Sequence, residues 1–198
     1  MSIGSSVRFD KRYILALFAL GIWVWMGYSI VSHTTSKIIK ATIIQSKKAV
    51  RYLDDKLYPI KKEVLWFDTL TFPKGNELRH PKYGYLGYRQ DFVIFFDMDV
   101  ELSADRFVSF VVYSDDGFRL LIDGKKIMEY IYDRPFRKSQ KIVHLSKGKH
   151  HIRIKYFQGY GQLGIVGYYG VGKSLEDAKR AKRLYLGRSS AELRFIEQ

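Results

Sequence analysis

The sequence predicts a mainly β protein: an antiparallel β-sandwich behind an N-terminal transmembrane helix and a helical stalk, closed by a short C-terminal helix and strand. Three observations predict it. Residues 13–32, YILALFALGIWVWMGYSIVS, carry no charge. Residues 92–102 alternate apolar and polar with a period of two, the signature of a strand with one buried face. After residue 102, short apolar segments are separated by turn residues with no helical-period segment between them. Parallel strands need crossover connections, so the pairing is antiparallel.

Residues 1–12 are expected on the cytoplasmic side, with Arg8, Lys11 and Arg12 beside the apolar run. At ~1.5 Å per residue, the ~20 residues of 13–32 span one bilayer core. A buried core helix would show a polar stripe, and none is present. A secretory signal has a shorter apolar run and a small-x-small cleavage site, which Ile30-Val31-Ser32 does not supply. Lys37, Lys40, Lys47, Lys48 and Arg51 follow the run, so flanking charge does not settle orientation. Over 33–63, Ile39, Ile43, Ser46, Val50, Leu53 and Leu57 recur at spacings of four and three. That spacing predicts a stalk helix, either lying on the next domain or the membrane or pairing with a second copy, and Pro59 ends or kinks it.

The sandwich is expected over 64–172. In 92–102, Phe92, Ile94, Phe96, Met98, Val100 and Leu102 form one face, with Asp97, Asp99 and Glu101 on the other. Residues 107–113 are apolar on both faces and predict a central strand. Asp123-Gly124 predicts the tight turn of a hairpin, because both positions want positive φ. Ser146-Lys147-Gly148-Lys149 predicts a second hairpin between 141–145 and 150–157, and 164–169 is a further strand. The tail, 173–198, is read as a basic helix over 174–186 and a strand over 192–196.

Lys and Arg outnumber Asp and Glu by 34 to 20, a net charge of +14, which favours anionic surroundings without specifying a fold. Hydrophobic residues at 46% suffice for a real core, and the absence of cysteine excludes disulfides and thiolate metal sites. Residues 167–174, GYYGVGKS, match the phosphate-loop pattern letter for letter. That loop needs a parallel sheet and a later strand ending in a metal-binding Asp, and the hairpins before it and the short tail after it leave room for neither. Ser174 is better read as a helix N-cap, which leaves nucleotide binding at 167–174 a remote alternative. Gly159-Tyr160-Gly161-Gln162-Leu163-Gly164 matches a dinucleotide fingerprint but precedes a strand instead of a helix.

Tyr113-Ser114-Asp115-Asp116-Gly117, then Leu120-x-Ile122-Asp123-Gly124, then Lys147-Gly148-Lys149 leading into Ile152-Arg153-Ile154-x-Tyr156, resemble in order and spacing the PA14 family over residues 85–170. The resemblance implies an extracytoplasmic β-sandwich that binds or scaffolds and does not catalyse. In the family's yeast adhesins, two adjacent Asp joined by a cis peptide hold a calcium ion, which in turn holds sugar hydroxyls. Asp115 and Asp116 match that pair, Gln158 falls where those adhesins have Asn, and Tyr160 and Gln162 would supply carbonyls. The local alternative is a turn, with the Asp side chains accepting backbone N–H bonds and Gly117 at positive φ.

His150 and His151 are neighbours on a strand and point to opposite faces, so they do not chelate one ion. Asp97, Asp99 and Glu101 suit a salt-bridged face. No Ser/His/Asp order or cysteine nucleophile suggests catalysis. Loop tyrosines, Tyr160 above all, suit sugar stacking or an interface. The expectation is a non-enzymatic single-pass protein of the cytoplasmic membrane, N-terminus inside and sandwich outside. It would serve a membrane or envelope assembly as an accessory or scaffold subunit through stalk, sandwich and tail, or bind glycan or anionic envelope polymer with calcium at Asp115-Asp116. Nucleic acid is not expected as a partner.

Overall fold

A computed structural model describes residues 11–32 and 37–198. Residues 1–10, most of the expected cytoplasmic segment 1–12, and residues 33–36 lie outside it. The helix and the β domain are separate compact units.

The helix α1, Lys11–Ser32, has 22 residues. The large apolar side chains described along it are exposed, from Tyr13 to Met26, with Trp23 at 72%. The described side chains cover only 13–27, and among the described residues no helix counts as long and apolar enough to cross a membrane.

The β domain comprises β1 (Ile39–Ser46), β2 (Pro59–Phe67), β3 (Thr71–Gly75), β4 (Arg79–His80), β5 (Gly84–Tyr85), β6 (Phe92–Leu102), β7 (Arg106–Asp115), β8 (Phe118–Ile122), β9 (Lys125–Tyr130), β10 (Arg137–Leu145), β11 (Gly148–Gln158), β12 (Leu163–Gly172), α2 (Leu175–Arg180), β13 (Leu184–Tyr185) and β14 (Leu193–Ile196). One sheet runs β2-β1-β6-β11-β8-β9, with β14 also on β6. The other runs β10-β7-β12-β13, with β3 also on β12, and β4-β5 form a small ribbon. All the pairings are antiparallel, as expected.

The period-two reading of β6 holds residue by residue. Phe92, Ile94, Phe96, Met98, Val100 and Leu102 are at most 1% exposed and share one core with Val108, Phe110, Val112, Ile165 and Tyr169 of the second sheet. Each such side chain contributes roughly 1.5–3 kcal/mol by leaving water. The outer face carries the expected salt bridges: His151 Nδ1 lies 2.7 Å from Asp99, Arg153 Nε 2.5 Å from Asp97, and Arg194 pairs with Glu101 at 2.5 Å. The turn after β8 is as read, with Asp123 at φ 50° and Gly124 at φ 75°.

The stalk helix is replaced by β1, a covering segment 47–58, and β2. Ile39 and Ile43 are four apart, which suits either period, but Ala41 between them is also fully buried, so the inner face is Ile39, Ala41, Ile43. Val50 and Leu53, read as a helical seam, instead pack on Val93 and Phe157 of the outer face. Arg119 clamps this segment through Asp54, Nη1 to Oδ1 at 3.1 Å and Nη2 to Oδ2 at 2.7 Å, and Lys155 Nζ adds a bond at 3.0 Å. Together they hold the Asp54 carboxyl at about 2.

The expected hairpin at 146–149 is a corner between sheets. β10 pairs with β7 and β11 with β6 and β8. His150, 9% exposed, pins the corner with Nδ1 2.6 Å from Asp123 Oδ2 and Nε2 2.9 Å from the Ser146 carbonyl. His151 points outward.

The phosphate-loop match is overturned. Gly167 to Gly172 lie inside β12, a central strand, and no loop exists there to cradle phosphate. A Cβ on Gly172 would sit 2.2 Å from the Ala178 nitrogen, so its glycine lets α2 lie on the sheet. Ser174 is the N-cap: its Oγ accepts the Asp177 N–H, and Asp177 reaches back to the Ser174 N–H. The helix has 6 residues instead of the thirteen or so expected. The tail belongs to the sandwich, since β14 joins β6 and the Gln198 N–H donates to the Lys37 carbonyl at 2.7 Å.

Candidate functional site

Strand ends converge at one edge of the sandwich: the ends of β1, β7, β9 and β11 and the start of β6, β8 and β12. Here the covering segment, the loop 131–136 and the loop 159–162 surround an open depression of about 650 Å3. Asp116 lies on its floor, 2% exposed, its Oδ2 accepting the Gly159 N–H at 2.8 Å. Only glycine fits at 159, because a Cβ there would meet the Val50 carbonyl oxygen at 2.6 Å. The Asp115-Asp116 peptide is cis.

Behind the floor, Ser114 Oγ donates to the Asp116 carbonyl at 2.7 Å and accepts from Arg134 Nη2 at 2.7 Å. Arg134, 7% exposed, also donates to Ser139 Oγ at 3.0 Å, while its Nε has no partner. Burial pushes the Asp116 carboxyl up to about 7, against the Gly159 bond, and the nearby Asp133 and Asp115 charges add to the rise. Burial also raises Asp115, opposed by Lys74 and by the Phe136 N–H that its side chain accepts.

The rim is aromatic. Tyr52, Tyr132 and Tyr160 are 49%, 54% and 85% exposed. Tyr52 and Tyr132 meet edge to face at 5.7 Å. Asp91 ties the rim together: its Oδ1 accepts the Val50 N–H at 3.1 Å and its N–H donates to the Gly159 carbonyl at 2.9 Å.

Of the residues singled out from sequence, Asp116 and Tyr160 line this depression and the others do not. Gln158 is fully buried: its Oε1 accepts the Tyr156 hydroxyl at 2.8 Å and its Nε2 donates to the Gln162 carbonyl at 3.0 Å. Gln162 lines a neighbouring hollow. Calcium takes six to eight oxygens. Here the Gln158 and Gln162 oxygens are engaged with protein donors, the Asp115 side chain bonds Phe136, and among the described residues no group of three or more His, Cys, Asp or Glu is arranged to hold a metal. The cis Asp115-Asp116 bond is the one that the resemblance implies, while the Gln158 oxygen is turned to Tyr156 and does not line the depression. Gly117 is not at positive φ. It is glycine because a Cβ would lie 2.4 Å from the Tyr130 carbonyl oxygen.

Sequence reasoning missed Arg51, Tyr52, Asp133 and Arg134. The first two were hidden by the helical reading of 33–63. The others sit in Tyr132-Asp133-Arg134-Pro135, where an aromatic, an acid and a base before a loop proline were the available signal.

No family model matches the sequence, and no curated protein matches it. Among solved structures, the chain is similar to a PA14 sugar-binding domain from an RTX adhesin, at 12% identity and TM-score 0.59, over 76% of this chain and 95% of that one. It is similar to the PA14 domain of the antifreeze protein MpAFP, at 10% identity and TM-score 0.57, over 75% and 85%. An anti-sigma factor domain-containing protein matches at 15% identity and TM-score 0.56, over 75% of this chain but only 46% of that one, so the chain spans less than half of that protein. The β domain has a PA14-like fold.

Proposed function

We propose that this chain is a non-catalytic, membrane-anchored glycan-binding protein whose ligand seats in the depression over Asp116. One observation carries the reading: the buried Asp116 carboxyl on the floor of an open depression, with the exposed Asp133 and three exposed tyrosines around it. A sugar presents hydroxyl donors on its edge and C–H groups on its faces. Asp116 and Asp133 accept the hydroxyls, and Tyr52, Tyr132 and Tyr160 pack on the faces. No calcium is part of this scheme. The RTX adhesin domain of the same fold is a sugar-binding one.

The anchor is α1. Its uncharged sequence over 13–32 and the exposed apolar side chains along it support a single span. We place the N-terminus in the cytoplasm and the sandwich outside, where envelope glycans lie.

The test uses the full chain in detergent micelles on a glycan array. Binding that disappears in Asp116→Ala and weakens in Tyr160→Ala supports the reading. Array binding unchanged in both, or none in the wild type, removes it.

A second reading is the accessory subunit. The stalk and free tail that suggested it are folded into the sandwich, but β2 is an edge strand with Ile60 63% and Val64 48% exposed. A stoichiometric partner pulled from solubilised membranes, lost in Ile60→Lys and kept in Asp116→Ala, would favour it.

A further inference from the structure

Tyr160 is a ridge between two hollows. On its far side lies a second depression of about 330 Å3, lined by Asn76, Arg89, Gln90, Tyr160, Gly161 and Gln162. Tyr160 lines both depressions, and at 85% exposure it stands clear of the body. A single sugar ring reaches one hollow only. A linear oligosaccharide laid over the tyrosine fills both.

The charges are arranged by side. The floor of the first hollow is acidic, with Asp116 and Asp133, and repels an anionic substituent. Cations sit around it instead. Arg51 lines the first hollow, and among the described residues no ion pair engages its side chain. Arg134, behind the same wall, keeps an unpartnered Nε although only 7% exposed. Across the ridge, the Arg89 side chain is 67% exposed, in loose contact with Glu77 at 3.6 Å and 5.8 Å from the centre of the Tyr85 ring. Asn76 and Gln162 add neutral amides there.

Resting on the glycan reading above, we infer that the ligand is an acidic oligosaccharide, a uronate-bearing chain that crosses Tyr160 and sets one carboxylate at Arg51 and another at Arg89. Its hydroxyls face the acidic floor and its charges face the arginines. This selects for charge at one edge of each sugar and for chain length. The net charge of +14 draws such a polyanion to the surface and makes capture salt-dependent.

The experiment is calorimetric titration of the full chain in a zwitterionic detergent with galacturonic acid, its trimer and hexamer, and neutral maltohexaose. Affinity should rise about tenfold from monomer to trimer, an increment that one added ion pair with stacking supplies. Maltohexaose should bind about tenfold more weakly than the acidic hexamer. Arg89→Ala should remove the gain from length and leave the monomer unchanged, while Arg51→Ala should weaken every acidic probe. Both side chains are exposed, so these variants fold. Equal binding of acidic and neutral hexamers overturns the charge assignment. Equal binding of monomer and trimer, or a length gain that survives Arg89→Ala, overturns the two-hollow site while leaving glycan binding intact. Binding of none of these probes, together with a blank glycan array, removes both this inference and the reading under it.

Discussion

Replacing Asp116 by Asn should stabilise the ligand-free protein at alkaline pH and do little at acid pH. The Asp116 carboxyl titrates at about 7 in the folded chain, against 3.8 for an ordinary Asp. Between those values the folded state holds a proton that the unfolded state has released, so stability falls as pH rises. The penalty is fully present above about 7 and absent below about 4. A carboxyl raised by about three pH units, at ~1.4 kcal/mol for each, sets a ceiling of ~4 kcal/mol. Asn keeps the volume, and its Oδ1 still accepts the Gly159 N–H, though a neutral acceptor gives up ~1 kcal/mol relative to a carboxylate. The expected gain is therefore ~1–3 kcal/mol at pH 8, falling towards zero at pH 4.5. The assay is urea unfolding of the full chain in detergent, followed by near-ultraviolet circular dichroism, with wild type and variant compared at each pH. Burial works against the charged His150 ring, but its bonds to Asp123 and the Ser146 carbonyl outweigh it, so its pKa is raised as well. Comparing the two proteins cancels its contribution. A variant that is destabilised at pH 8, or a difference that does not change between pH 4.5 and 8, would refute the buried-carboxylate account.

Four other outcomes are expected. Gly172→Ala should cost ~1–3 kcal/mol because its Cβ collides with the α2 backbone, whereas Lys173→Ala should lie within ~0.5 kcal/mol of wild type, and equilibrium dialysis should show no ATP binding to either. Asp54→Asn should cost up to ~1 kcal/mol, since the half-exposed pair with Arg119 is screened by solvent, and hydrogen exchange over 47–58 should quicken. The Asp54 contribution should be present above pH 3.8 and fade as pH falls towards 2. Tyr160→Ala should leave the melting temperature unchanged, the side chain being 85% exposed, while weakening glycan binding by roughly tenfold. Millimolar calcium should shift neither the wild-type melting temperature nor its array binding, and a calcium-dependent rise would restore the ion to the Asp115-Asp116 pair.

Legibility in the sequence followed how far each element depends on its own neighbours. β6 was readable because eleven alternating residues leave no other period. The type of turn at Asp123-Gly124 was readable because φ preferences are local. β1 was not, since Ile39 and Ile43 fit both periods and the small Ala41 hid the intermediate inner position. Val50 and Leu53 continued the false helix because a segment folding back onto Val93 and Phe157 needs apolar residues at whatever spacing the outer face dictates. At the corner after β10, turn residues announced a reversal of direction but not which sheet the next strand would join. The same limit applied to the site. Asp116 and Tyr160 stood out in their local patterns, while Tyr52 and Asp133 arrive from loops positioned only by distant contacts such as Arg119 with Asp54.

β1 is held by hydrogen bonds on both flanks, to β2 over its whole length and to β6 from Lys40 to Gln45. The chain enters it at Lys37 and leaves it towards Tyr52 at the depression. On the anchored, glycan-binding reading proposed above, tension between the N-terminal segment and a seated glycan would run along this strand. It loads two ladders in shear, so their bonds must yield together instead of unzipping one at a time. A domain tethered this way would resist pulling along β1 more than peeling across it.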